Sequence, residues 1–246
     1  MGVKAHMDGD EVIRKASQLA SKGDEVQKQI TKAMDYFKNL GETKSWTGET
    51  YDALVQSMNE SLENLNGLVV SVVRDLPYSI ASAGQAIVTT GGGTPTVSYA
   101  DQSFVAIKEL SKTNTGTKYD FDEDEISGKL DNMRSQFSQI KENINNCADV
   151  AKNLGNDMDS GEGRSRAYDL SATYHRLRDV ISDFSNSFEM AIKAQIAAIR
   201  EQEMAMKARE TINEAGKATA EAFNAAAQTF ANTRDQAIAE LKSLFH

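Results

Sequence analysis

One run of apolar residues constrains this chain more than any other feature. Tyr51, Leu54, Met58, Leu62, Leu65, Val69, Val72 and Leu76 follow one another in steps of three and four without a break. A strand alternates in steps of two, so only a helix places these side chains on one face. Such a face must be buried against other elements. The spacing recurs upstream in Val12, Ala16, Leu19, Val26, Ile30, Ala33, Phe37 and Leu40. It recurs downstream in Ile126, Leu130, Met133, Phe137, Ile140, Ile144, Cys147, Ala151 and Leu154. A fourth stripe runs through Ala167, Leu170, Tyr174, Leu177, Ile181, Phe184, Phe188, Ile192, Ile196 and Ile199. These stripes predict an all-α chain. Its two helical hairpins would form an antiparallel four-helix bundle with a long fourth helix and a helical C-terminal tail.

The breakers divide the pattern. Gly23 occupies a stripe position and reads as a kink or weak spot. Gly41 ends the first helix, and Thr47 is the expected N-cap of the second. Pro77 kinks or ends the second helix near Leu76, with Tyr78–Ile87 adding two or three further turns. The run Thr89-Thr90-Gly91-Gly92-Gly93-Thr94-Pro95 reads as a flexible linker, with a small hairpin as the alternative. Gln102–Leu110 is a candidate short helix. Gly155 ends the third helix, and no strong breaker follows in the fourth before Gly216. That helix is therefore expected to run about 50 residues, roughly 75 Å. The expected organisation is a hairpin over 8–87, a Gly/Thr-rich linker over 88–118, a second hairpin over 119–215 and an Ala-rich helical tail over 216–246.

The two halves share an order of stripe, glycine stop, polar loop and stripe. Lys38-Asn39-Leu40-Gly41 closes the first helix of one half, and Lys152-Asn153-Leu154-Gly155 closes that of the other. Ile30 and Ile144 lie at the same distance before these runs. At the turns, Trp46-Thr47-Gly48 is matched here with Gly161-Glu162-Gly163.

Composition excludes several functions. The formal net charge is −9 over 246 residues, which argues against nucleic acid as a partner. The one cysteine, Cys147, lies on an apolar stripe and reads as a small core residue. His6, His175 and His246 are far apart, and no Cys/His spacing implies a metal; His175 reads as a surface residue. The acidic run from Asp120 to Glu125 lacks the central glycine of a calcium loop and suits a helix N-terminus. Gly91-Gly92-Gly93 lacks the Gly-Lys-Ser/Thr ending of a phosphate loop. No nucleophile–base pair, cofactor motif or small-molecule site can be argued from these residues, so the chain reads as non-enzymatic. Its first ten residues are polar and form no signal peptide.

Two amphipathic helices joined by a turn with Trp46-Thr47-Gly48 resemble the WXG (Esx-like) family of the type VII secretion system. The resemblance covers about residues 8–87, and the second half is similar but degenerate, with Gly161 where a tryptophan would stand. It implies a fused pair of hairpins, folded first in the bacterial cytoplasm and then secreted without a cleavable signal peptide, or held at the cell envelope. The implied partners are proteins: a secretion ATPase or another WXG-like protein. The resemblance also implies an export signal of the form Tyr-x-x-x-Asp/Glu, and Tyr119 with Glu123 fits that form. Two other readings stand beside this one. One is a helical pore-forming toxin or effector whose Ser79–Val88 segment enters a membrane. The other is a coiled-coil adaptor unrelated to secretion.

Overall fold

A computed structural model describes residues 6–115, 118–200 and 205–244. The chain is all-α. Its helices are α1 (Gly9–Glu42), α2 (Glu49–Val70), α3 (Leu76–Thr90), α4 (Glu123–Asp157), α5 (Gly161–Arg200) and α6 (Ala205–Ser243). A π-helical turn, Ser71–Asp75, joins α2 to α3 in one rod. Two-residue strands β1 (His6–Met7) and β2 (Met158–Asp159) pair antiparallel at one end.

Each rod packs on two others, in the cyclic order α1, α4, α5, α6 and the α2–α3 rod. Side-chain pairs give the directions. Lys15 pairs with Asp157 and Gln29 with Asn143, so α1 and α4 are antiparallel. Arg134 pairs with Glu189 and Phe137 with Phe184, so α4 and α5 are antiparallel. Arg166 pairs with Glu240 and Phe184 with Phe223, so α6 returns along α5. Asn64 pairs with Asn224 and Asp75 with Arg234, so α6 runs parallel to the α2–α3 rod. All the expected stripe positions with a described side chain are buried in one shared core.

The two halves follow one register more closely than the glycine runs imply. Every stripe residue of α1 has its counterpart in α4 exactly as Leu40 has Leu154, 114 positions on. The rule extends to the caps. The Asp8 carboxylate accepts from the Glu11 N–H at 3.0 Å, and that of Asp122, 114 on, accepts from the Glu125 N–H at 3.0 Å. Gln29 and Asn143 are also 114 apart, and they bond each other across the α1–α4 seam at 3.2 Å. A residue meeting its own counterpart is the mark of a two-fold relation.

The ends obey the same relation. Met7 pairs with Met158, and the Asp8 N–H bonds the Asp157 carbonyl at 2.8 Å. At the opposite end Phe121 bridges Trp46, and the Asp122 N–H bonds the Ser45 carbonyl at 2.8 Å. The segment entering each first helix thus pairs with the turn that leaves the other half's first helix. Beyond the turn the offset becomes 112. Met58 and Leu170, Leu62 and Tyr174, Leu65 and Leu177, Val69 and Ile181, Leu76 and Phe188 are all buried pairs at this offset.

Several expectations need correction. Gly23 does not interrupt α1, which runs unbroken past it. A Cβ there would lie 2.4 Å from the Val72 carbonyl, so Gly23 lets α1 approach the π turn. Pro77 stands in the first turn of α3, which carries the helix on through Tyr78–Ile87 after the π turn just before it. Helices α1 and α4 run slightly past Gly41 and Gly155, and Lys44, with φ 60°, turns the chain after α1. The fourth helix ends at Arg200, not near Gly216, because α6 folds back onto α5. Gly216 lies inside α6, where a Cβ would meet the Ser57 hydroxyl at 2.9 Å. Phe245 and His246 lie outside the described residues. Gln102–Leu110 does not form the expected helix; the described residues 91–115 and 118–121 make a strap laid along the first half.

Candidate interaction site at the Trp46 turn

The turn between α1 and α2 is closed by its own residues. Trp46 is fully buried, and its indole N–H donates to the Thr50 hydroxyl at 3.1 Å. The ring stands edge-on to Phe37, Tyr51 and Phe121, with centroids 6.0–6.5 Å away. Phe188 of α5 completes the cluster against Phe37, at 5.1 Å. Gathering of aromatic edges and faces is favourable beyond the area it buries. Burial pushes the Tyr51 phenol up to about 12.

The neighbouring residues clamp the strap. The Thr47 N–H bonds the Asp120 carbonyl at 3.0 Å, and the Asp120 N–H returns a bond to the Thr47 hydroxyl at 2.8 Å. That hydroxyl donates to the Asp120 carboxylate at 3.1 Å. Thr47 is therefore a strap anchor and not the expected cap; Gly48 holds the N-cap position. Gly48 has φ 94° and ψ −172°, a region closed to residues with a Cβ. A Cβ there would also fall 2.9 Å from that of Tyr119.

Tyr119 therefore lies over Gly48, with 70% of its surface exposed, and Glu123 opens α4 just beyond. The fold brings Trp46, Gly48, Tyr119 and Glu123 to one end of the molecule. Gly161 and Gly163 stand at the other end, in the first turn of α5. Their matching to the Trp-x-Gly turn also needs correction. Met158 pairs with Met7 as Trp46 pairs with Phe121. The Ser160 carbonyl accepts from Arg164 at 3.0 Å as that of Gly48 accepts from Asp52 at 3.0 Å. Met158 and Ser160 are the counterparts of Trp46 and Gly48, at the offset of 112 shared by α2 and α5.

Among the described residues, no three His, Cys, Asp or Glu side chains converge to hold a metal. His175 is half-buried, with its Nδ1 3.4 Å from Arg178. Cys147 is buried, and desolvation pushes its thiol up to about 12. The Ser79–Val88 segment lies in α3, with Ile80, Ala81, Ala83 and Ile87 buried. No described helix is long and apolar enough to cross a membrane.

Comparison with protein-family models, curated proteins and solved structures gives no match to this chain.

Proposed function

We propose that this chain is a non-enzymatic protein of the type VII secretion kind, either a secreted substrate or an interaction protein coupled to secretion. In this reading α1–α2 and α4–α5 are two WXG-like hairpins paired as an antiparallel four-helix bundle, with α6 as an added rod. The observation that carries it is the meeting of Tyr119 with Gly48. A buried Trp-x-Gly turn and a Tyr-x-x-x-Glu string, far apart in sequence, meet at one end of the molecule, where Tyr119 is exposed. The exchange of bridges at the two ends supports a fused pair, since each half supplies the other's end partner.

The partner at this end is a secretion ATPase or another WXG-like protein. Because Trp46 is buried, it shapes the end, while Tyr119 and Glu123 do the recognising. The protein leaves the bacterial cytoplasm after folding, or stays at the envelope. The test is immunoblotting of culture medium from matched strains with and without the secretion ATPase. Export should require the ATPase, and Tyr119→Ala should leave a folded protein inside the cell. Equal amounts outside both strains would contradict the reading.

A further inference from the structure

The strap meets α2 through a ladder. Asp52, Asn59 and Asn66 stand seven residues apart on α2, and they meet Thr113, Leu110 and Ile107, three residues apart on the strap. The Asn66 amide accepts from the Ile107 N–H at 2.8 Å and donates to the Ile107 carbonyl at 3.1 Å. Asn59 treats Leu110 in the same way, at 2.9 Å for both bonds. The Asp52 carboxylate accepts from the N–H groups of Thr113 at 2.6 Å and Asn114 at 3.2 Å, and from the Thr113 hydroxyl at 2.9 Å.

The register has a simple cause. Seven helical residues advance roughly 10.5 Å, and three extended residues advance about 10 Å. The rungs therefore stay in step. An amide that both donates to and accepts from one backbone residue takes the place of a neighbouring strand. It reads no side chain. Selection falls on Ile107 and Leu110, which are 8% and 7% exposed, while Val105 between Phe104 and Ala106 is 62% exposed.

The ladder is not a by-product of the repeated fold. The residues of α5 equivalent to Asp52, Asn59 and Asn66 are Arg164, Ser171 and Arg178. They carry no amides, and Arg164 and Arg178 pair with Asp159 and Asp179 instead. Among the described residues, the amides that both donate to and accept from one strap residue are on α2, and α1 adds Gln27, which accepts from the Val105 N–H at 3.0 Å, and Asp10, which accepts from the Thr96 N–H at 3.0 Å.

We propose that this face of α2 is a docking strip for extended peptide, now filled by the strap. It would bind a segment of a partner protein, apolar at two positions three apart and with Thr or Ser three residues further on, by exchange with the strap. The resident strap shows the chemistry that fits, and Gly91-Gly92-Gly93 supplies the hinge before it. The proposal does not depend on the secretion reading.

The probe is a fluorescein-labelled synthetic peptide of residues 102–115, and the readout is anisotropy with the full chain. An Ile107→Ser, Leu110→Ser double variant empties the strip and should bind the peptide saturably at micromolar concentration. Adding Asn59→Asp and Asn66→Asp, which cannot donate to the peptide carbonyls, should weaken binding at least tenfold. Wild type should bind more weakly than the emptied chain, and saturating peptide should speed hydrogen exchange at its own Ile107 and Leu110 amides. That exchange measurement stands even if the emptied chain loses its helical circular dichroism. Binding indifferent to the Asp substitutions, or unchanged exchange at saturation, would overturn the proposal. So would a wild-type dimer abolished by those substitutions, which would assign the strip to a second copy of this chain.

Discussion

Trp46 and Gly48 hold the turn in different ways, and each makes a separate prediction. Trp46 packs among Phe37 of α1, Tyr51 of α2 and Phe121, with its N–H satisfied by Thr50. Trp46→Ala should cost about 3–5 kcal/mol of stability. As the single tryptophan it also reports its own burial, so native fluorescence should be blue-shifted and should move red on denaturant unfolding. Gly48→Ala meets both a forbidden backbone region and the Tyr119 Cβ, and should cost about 1–3 kcal/mol in the same titration. Glu189 offers a pH test. The Arg134 guanidinium grips both its oxygens, at 3.0 and 2.6 Å, and holds its carboxyl near 2, below the ordinary 4.5. A depressed carboxylate contributes stability that is complete above the unfolded value and lost as pH falls through the folded one. Stability should therefore decline between about pH 4.5 and pH 2, and Glu189→Gln should flatten that limb of the denaturation curve.

At the scale of elements, close approach outweighs helix propensity at Gly23. Alanine is favoured over glycine in a helix interior by about 1 kcal/mol. A Cβ at Gly23 would nevertheless overlap the Val72 carbonyl and Val73 Cα, both backbone atoms that cannot swing away. Gly23→Ala should therefore destabilise the protein, by about 1–3 kcal/mol in urea unfolding. The helices themselves were legible because burial writes a period into sequence. The α1–α4 register was legible too, since the stripes and the Asp8/Glu11 and Asp122/Glu125 caps share one offset. Two features were not. No glycine or proline in the sequence between α5 and α6 announces the return of α6 along α5, which is seen only in the packing of the two helices. The strap has neither period, because its order comes from amides on α2 that are invisible until both elements are placed. At the turn, Thr47 looked like a cap only because its partner, Asp120, lies 73 positions away.

The whole molecule is organised about the α1–α4 seam, where Gln29 meets Asn143 and each half closes the other's end. Cys147 lies within this core, so native protein should resist thiol reagents at pH 8 and react fully once unfolded. A chain that contains both halves of a two-fold arrangement has no need of a second copy to bury its stripes. The most direct test is the mass of the purified protein in solution, by light scattering across a hundredfold range of concentration. The internally paired fold predicts a constant 26.9 kDa; a stable species of twice that mass at every concentration would contradict it.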